Sequence, residues 1–281
     1  SYDPVEGQNP KYGASIHYWL KTEAKDSVTV DILDAAGARI ATMKRQAKAG
    51  LNRAFWDLRY DRTKEAKLRV SPIFAPWFAV SSEGTAAPGV QRFASLVPPG
   101  TYTVRLSAAG QTLSQPVEVL KDPSSGGSLE DIHAQAALAR TLSIGIDSTV
   151  DMINTVEGVR GQIASLKAAL AGDDKTADLR AAADSLEKKY VALEEDLFQI
   201  RITGRGQDDV RWPYKLAEQL IYLGQQVASG DFAPNDQQRE VTVVLQQKMR
   251  ASRAVLDKLT NDDLSAFRKR LRDRNVTVLI M

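Results

Sequence analysis

The sequence predicts an α+β chain of more than one domain, in which an antiparallel β-sandwich is followed by an all-α helical bundle. Before Lys121 the apolar residues alternate with polar ones in short runs, which is the period of half-buried strands. After Gly127 they recur every three or four positions, which is the period of amphipathic helices. Turn formers follow the same division, since eight of the eleven prolines precede Lys121. We therefore expect the sandwich over residues 1–121, a linker over 122–127 and the helices over 128–281.

The strands of the N-terminal domain follow from alternating apolar runs that Gly, Pro or Asp residues separate. We expect them at 14–20, 28–32, 39–43, 49–58, 101–106 and 112–120. Asp34-Ala35-Ala36-Gly37 predicts a turn, because Asp bonds its own backbone and Gly accepts a positive φ, and Pro98-Pro99-Gly100 predicts another. Short antiparallel strands at this spacing are typical of immunoglobulin-like and fibronectin type III-like sandwiches.

A segment rich in Pro and Gly at about 64–96 interrupts the strands and predicts a long inserted loop. It carries four aromatic residues, which are Phe74, Trp77, Phe78 and Phe93. Burying such a ring is worth roughly 1.5–3 kcal/mol, so we expect the rings to cover something. They either pack internally on the sandwich or the helices, or contact another domain or subunit, or stack on a sugar ring. We treat the four residues as a predicted partner contact.

About four main helices are expected in the C-terminal half, each with an apolar stripe. The first begins at the capping sequence Ser128-Leu129-Glu130-Asp131 and ends before Gly172. Stripes over 179–200, 216–227 and 241–259 predict the other three. Asn235 is expected to cap the last of these, and Asn261-Asp262-Asp263 to cap a short final turn.

Composition excludes several classes of protein. The chain has 281 residues, 43% of them hydrophobic and 26% charged, which is ordinary for a globular protein with two cores. A formal net charge of +2 gives no basic surface of the kind that binds nucleic acid. The absence of cysteine excludes disulfides, thiolate metal sites and a cysteine nucleophile. No apolar run approaches the roughly 18 residues of a membrane span, so we expect no transmembrane segment.

No catalytic residue, cofactor or metal site is predicted. His17 and His133, the two histidines, lack the spacing of a zinc site, so we interpret both as structural. Gly204-Arg205-Gly206 lacks the Gly-Lys-Ser/Thr of a phosphate-binding loop and is interpreted as a connector between helices. Glu194-Glu195-Asp196 and Asp208-Asp209 are acids of the kind that glycoside hydrolases pair, but we expect them on a solvated face.

Four motifs occur in a recognisable order. They are Gly7-Gln8-Asn9-Pro10, Ile32-Leu33-Asp34-Ala35-Ala36-Gly37, the run from Gly50 to Tyr60, and Pro99-Gly100-Thr101-Tyr102-Thr103-Val104. In this order they resemble the C-terminal region of large exported bacterial proteins with sortilin-type or BNR-repeat β-propellers, often labelled glycosyl hydrolases. The second and fourth also resemble the Ig-like module of flagellar hook-capping proteins. The resemblance carries over no hydrolase residue, because the propeller repeats are missing from this sequence.

The function that we expect is a non-catalytic structural or protein-interaction module of a larger exported β-propeller-type protein or assembly. We interpret the start at Ser1-Tyr2-Asp3-Pro4 as the edge of a processed or excised piece. The resemblance and the absence of cysteine predict a periplasmic, extracellular or cell-surface location. The predicted partner is a protein domain or subunit, such as an upstream propeller of the same parent chain. Two alternatives stay open: part of a glycoside hydrolase whose active site lies mainly in a propeller, or a carbohydrate-binding module.

Overall fold

The computed structural model describes residues 7, 10–23, 27–203 and 207–276, and its antiparallel sheets and helices confirm the α+β class. The strands are β1 Ala14–Leu20, β2 Val28–Leu33, β3 Arg39–Arg45, β4 Gly50–Trp56, β5 Lys67–Leu68, β6 Thr85–Ala86, β7 Gly100–Ala108 and β8 Gln111–Val119. The helices are α1 Leu129–Ala169, α2 Ala177–Leu197, α3 Asp208–Arg211, α4 Leu216–Val227, α5 Asp236–Lys258 and α6 Ser265–Asp273. A 3₁₀ turn at Asp174–Thr176 precedes α2, and a π-helical turn at Leu259–Leu264 precedes α6.

The chain divides into two compact units, and neither is continuous in sequence. Unit 1 extends to residue 61 and also includes 94–136 and 231–233. Unit 2 comprises 62–93, 137–230 and the residues from 234 onwards. This division differs from the predicted limits, which assign the segment after residue 61 to the sandwich. The physical reason is that five apolar side chains of 62–93 belong to the hydrophobic core that the helices form.

Unit 1 contains two main sheets, and every strand pair in them is antiparallel. One has four strands in the order β3-β2-β7-β8, and the other pairs β1 with β4. The predicted turn between β2 and β3 is present. Asp34 Oδ1 accepts hydrogen bonds from the N–H groups of Ala36 at 3.0 Å and Ala38 at 2.9 Å, and Gly37 has a φ of 78°. A side chain at that φ would be strained, so Gly37 is the residue that lets the turn close.

Residues of both sheets contribute to one hydrophobic core. Alternate residues of β2 are fully buried, as the two-residue period of a strand requires: Val28, Val30 and Ile32. The ring of Trp56 on β4 meets that of Tyr102 on β7 edge to face, with 5.6 Å between centroids. Trp56 Nε1 donates to the Arg59 carbonyl at 2.9 Å, which satisfies the polar atom of this buried ring. The two aromatic residues thus link the two sheets within the core.

The longest helix, α1, has 41 residues and begins where the sequence predicts. The N–H of Asp131 donates to Ser128 Oγ at 3.0 Å, and the N–H of Ser128 donates to Asp131 Oδ2 at 3.1 Å. This reciprocal pair satisfies two backbone donors at the start of the helix. Further along, Val150 and Met152 are both fully buried although they lie about 200° apart on the helix. The middle of α1 is therefore enclosed on more than one side by the rest of unit 2.

The ends of α5 give one prediction that is confirmed and one that is wrong. Asn235 caps α5, because its side chain accepts from the Gln238 N–H at 2.8 Å while Gln238 Oε1 accepts from the Asn235 N–H at 3.1 Å. The predicted break at Asn261-Asp262-Asp263 is wrong, since Leu259–Leu264 continues from α5 into α6 as a π-helical turn. Leu259 and Leu264 are both buried, and their packing keeps this stretch helical despite its polar centre.

Candidate protein-contact surface

Segment 62–93 is part of the hydrophobic core of unit 2. It contributes five apolar side chains to the cluster that the helices form: Ala66, Leu68, Ala87, Val90 and Phe93. Phe93 is only 5% exposed, and a Cβ added to Gly224 of α4 would lie 3.3 Å from its Cζ. The missing side chain of Gly224 therefore provides the space that the Phe93 ring occupies.

A stripe of polar and small residues along α1 receives the first part of this segment. Steps of three and four residues place its members on one face of the helix: Asp147, Asp151, Asn154, Glu157 and Gly161. We call these five residues the anchor stripe. The backbone N–H of Lys64 donates to Asp147 Oδ1 at 2.7 Å, and Lys64 Nζ pairs with Asp151 at 2.6 Å. The ion pair is half exposed, so it adds little to stability beyond the backbone bond beside it.

Asn154, at the centre of the anchor stripe, pairs with the backbone of the segment on both of its polar atoms. Its Oδ1 accepts from the Lys67 N–H at 2.8 Å, and its Nδ2 donates to the Glu65 carbonyl at 3.1 Å. The side-chain amide thus forms the two hydrogen bonds that a neighbouring strand would otherwise form with this stretch of backbone. Beyond it, the absent side chain of Gly161 leaves room for Arg69, whose Cβ would lie 3.5 Å from an added Cβ.

Glu157 holds the end of this attachment with a fully buried carboxylate. One of its oxygens accepts from the backbone N–H of Arg69 and, at 3.1 Å, from that of Val70. Its other oxygen accepts from Arg160 Nη1 at 2.6 Å. Two of these three donors belong to the chain immediately before Ser71, so the carboxylate fixes the point at which the following loop begins.

A second carboxyl group, Glu194 of α2, shares Arg160 Nη1 with Glu157. We call Glu157 and Glu194 the buried carboxyl pair. Glu194 is fully buried, so its expected position on a solvated face is wrong. Burial and then its hydrogen bond with Glu157 raise the pKa of Glu194 well above its ordinary value, against the attraction of Arg160. Glu194 lies on the buried face of α2, with Tyr190, Leu193 and Leu197, and Arg160 of α1 provides its charged partner there.

Residues 71–78 form a compact loop with its two ends joined, and we call them the aromatic loop. Ser71 Oγ donates to the Phe78 carbonyl at 2.7 Å. Within the loop, the Ala75 N–H donates to the Pro72 carbonyl and the Phe78 N–H donates to the Ala75 carbonyl, both at 2.9 Å. Pro72 and Ala75 are buried, so the loop is fixed by its backbone and by these small residues.

Three large side chains of the aromatic loop point to the surface. Trp77 is 63% exposed, Phe74 is 40% exposed and Ile73 is 49% exposed. The guanidinium of Arg201 lies over the Phe74 ring at 4.2 Å and over the Trp212 ring at 4.6 Å. We call Phe74, Arg201 and Trp212 the arginine stack. Such cation–π contacts contribute about 0.5–1 kcal/mol each at exposed sites, and they hold the Phe74 ring in one position.

The four predicted contact residues therefore separate into two pairs. Phe74 and Trp77 lie together on the exposed side of the aromatic loop. Phe78 is half-buried and packs against the core of unit 2, to which Phe93 belongs. No local sequence pattern indicates Arg201 as a neighbour of Phe74, because the two residues are far apart in the chain and meet only through the fold.

The other candidates from the sequence have no shared site. His17 Nε2 accepts from Arg53 Nε at 2.8 Å across the β1–β4 pair, and His133 is exposed on α1. Gly204-Arg205-Gly206, the motif residues Gln8 and Asn9, and the side chains of Asp208 and Asp209 lie outside the described residues. Within the part of the chain that is described, no three His, Asp or Glu side chains are grouped as metal ligands.

Comparison of the chain with protein-family models, curated proteins and solved structures finds no match. The resemblance to the C-terminal region of propeller proteins therefore stays a prediction. In the described ranges no helix has both the length and the apolar composition needed to cross a membrane, in agreement with the absence of a predicted transmembrane segment.

Proposed function

We propose that this chain is a non-catalytic structural and protein-interaction module of a larger exported protein or assembly of the β-propeller type. We further propose that it docks through the aromatic loop and the arginine stack. The observation that carries the proposal is the exposure of Phe74 and Trp77 on a loop whose backbone is tied at both ends. Aromatic residues and arginine are enriched in the centres of protein interfaces.

The well-ordered backbone of the aromatic loop favours a role in binding. Its ends, its two turns and the backbone before it are all hydrogen bonded. A partner would therefore meet large side chains that are already positioned, and little conformational entropy would be lost on docking. Solvent exposure of Trp77 without a partner forgoes stabilisation that burial of the ring would supply.

For the fold, we propose that unit 1 is an immunoglobulin-like or fibronectin type III-like sandwich and that the helices of unit 2 form a bundle. The hydroxyl of Tyr102 near the start of β7 donates to the Pro98 carbonyl, four residues upstream, at 2.7 Å. This arrangement resembles the tyrosine corner of such sandwiches and supports the proposal. Sheets of two and four strands with a common core, and helices with a common core, support the two descriptions.

The buried carboxyl pair supports a non-catalytic interpretation of the described residues. Glycoside hydrolysis needs two carboxyl groups at a site that admits a sugar ring. Glu157 and Glu194 meet across Arg160, but both are fully buried and no sugar can reach them. This pair therefore does not serve glycoside hydrolysis; that alternative places the active site mainly in a propeller, and the carbohydrate-binding alternative uses Phe74 and Trp77.

The test compares two variants in a docking assay. The sequence immediately upstream of Ser1 in the gene is determined first, and the upstream protein is produced as a separate piece. Its affinity for the chain is measured by calorimetry with wild type and with the Phe74→Ser, Trp77→Ser double variant. We expect the double variant to bind at least about 30-fold more weakly, as the loss of an interface hot spot does.

The matched control is Tyr222→Ser, which removes an exposed ring from α4 outside the aromatic loop and should leave the affinity unchanged. Wild-type affinity in the double variant would refute docking through this loop. Propeller repeats upstream would support the β-propeller context, and a different domain there would refute it. Binding on a glycan array that Trp77→Ala abolishes would favour a carbohydrate-binding module instead.

A further inference from the structure

Two carboxyl groups and one guanidinium meet in the interior of unit 2, and their charges do not balance. Glu157 and Glu194 are fully buried, and the side chain of Arg160 is only 4% exposed. With both carboxyl groups ionised, the cluster would carry an uncompensated negative charge in a medium of low polarity. Because both groups touch the same nitrogen of Arg160, the two negative charges would also lie close together.

The donors around the two carboxyl groups decide which of them keeps its charge. Glu157 accepts from two backbone N–H groups in addition to Arg160, and such donors favour the ionised form. Glu194 Oε1 is buried and has no hydrogen-bond partner among the described residues. The proton that neutralises the cluster therefore belongs on Glu194.

We propose that attachment of the aromatic loop to α1 takes up one proton, which Glu157 and Glu194 share, so that rising pH releases the loop. The importance of this release for docking rests on the function proposed above. The raised pKa of Glu194, caused first by burial and then by the hydrogen bond with Glu157, agrees with a proton held at this position.

The connection to the aromatic loop is direct. The N–H groups of Arg69 and Val70 that Glu157 accepts stand immediately before Ser71, the first residue of the loop. When the loop is attached, these two N–H groups are bonded to Glu157 and both carboxyl groups are fully buried, out of contact with water. When it is released, Glu157 loses two donors and water reaches the pair, so that Glu194 ionises in the ordinary range of glutamate.

The direction in which pH changes the attachment of the loop follows from the groups that face the buried carboxyl pair. Glu157 and Arg160 act from α1, Glu194 from α2, and segment 62–93 contributes the backbone N–H groups. Tyr190, one turn before Glu194, is buried, and burial raises the pKa of its hydroxyl, so it stays neutral. A group whose pKa is higher in the closed form stabilises that form at low pH, and the stabilisation is lost as pH rises through the raised value.

The first experiment follows the proton itself by NMR in wild type. Glutamate labelled with ¹³C at the side-chain carboxyl reports ionisation, and the Glu157→Gln and Glu194→Gln variants assign the two resonances. We expect one resonance of the pair to titrate far above the ordinary range of glutamate. The N–H resonances of Arg69 and Val70 should shift with the same midpoint, because their acceptor changes at that pH.

The second experiment measures release of the loop as the rate of tryptic cleavage after Arg69. At each pH the rate for wild type is divided by the rate for Glu194→Gln, so that the pH dependence of trypsin itself cancels. The amide of a glutamine at 194 donates permanently where the proton would be, so this variant should hold the loop at all pH values. In wild type the relative rate should rise about tenfold per pH unit, the slope for loss of one proton, until the closed form itself ionises.

Ionisation of Glu194 in the ordinary range of glutamate would overturn the proposal, as would Arg69 and Val70 resonances that do not follow the titration. An equal pH dependence of cleavage in wild type and Glu194→Gln would overturn it as well. These measurements need no partner. They remain decisive even where the Phe74→Ser, Trp77→Ser variant binds normally and refutes docking alone.

Discussion

Replacing Phe93 with alanine tests whether segment 62–93 is a structural part of the helical core. The ring is 5% exposed and belongs to the core cluster of unit 2. Phe→Ala substitutions at such positions destabilise proteins by about 3–5 kcal/mol. The hydrogen bond from the backbone N–H of Phe93 to Thr63 Oγ1, at 2.8 Å, does not depend on the phenylalanine side chain. The expected loss of stability therefore measures the contribution of the Phe93 ring alone.

A second substitution makes the test specific to the contact with α4. Gly224→Ala should gain about 1 kcal/mol from helix propensity. In wild type the added Cβ would lie 3.3 Å from Phe93 Cζ and 3.4 Å from Cε1, so crowding opposes this gain. In the Phe93→Ala background that space is open, and the gain should be complete. The two substitutions should therefore couple, with the double variant more stable than the sum of the single effects.

The assay is urea unfolding followed by far-ultraviolet circular dichroism, which reports the helices of unit 2. Tyr222→Ala removes an exposed ring from the same helix as Gly224 and should change the stability by less than about 0.5 kcal/mol. A loss below about 1 kcal/mol for Phe93→Ala would refute the assignment of this ring to the core. An effect of Gly224→Ala that is equal in both backgrounds would refute the contact.

Three further predictions test other parts of the structure. Tyr102→Phe removes the bond to the Pro98 carbonyl and should destabilise unit 1 by about 1 kcal/mol in thermal unfolding; because burial raises the pKa of Tyr102 to about 12, ultraviolet titration should find it neutral where ordinary tyrosines ionise. Asn235→Ala removes the α5 cap and should lose about 1 kcal/mol in urea, and an unchanged midpoint would contradict the capping box. Asn154→Ala leaves the N–H of Lys67 without its partner and should speed tryptic cleavage after Lys67, whereas unchanged cleavage would show that the anchor stripe does not hold the segment.

Local features of this fold can be predicted from the sequence because their partners are close in the chain. Asp34 and Gly37 close their turn within four residues, and Ser128 and Asp131 satisfy each other across one helical turn. Asn235 caps α5 for the same reason. In each case the side chain and the backbone group that it bonds are joined by so few residues that the choice of residue type determines the geometry.

The parts that could not be predicted depend on partners far apart in the chain. Arg160 meets Glu194 across 34 positions, and the Lys67 N–H meets Asn154 across 87. Three consecutive acids, Glu194-Glu195-Asp196, have the composition of a solvated face, and the partner that compensates the buried Glu194 is a guanidinium on another helix. The anchor stripe on α1 does leave a signal in the sequence, since Asp147, Asp151, Asn154 and Glu157 recur at steps of three and four.

The position of segment 62–93 in the sequence has a consequence for the order in which the protein folds. Arg69 bonds a side chain that lies 88 positions further along the chain, so the segment leaves the ribosome well before the helix that receives it. We expect the strands of unit 1 to pair first, while the segment stays unattached with its apolar side chains exposed. Residues 128–281 made alone would lack five core side chains and the backbone donors of Glu157. Adding a peptide of residues 62–93 to them should therefore restore a native core.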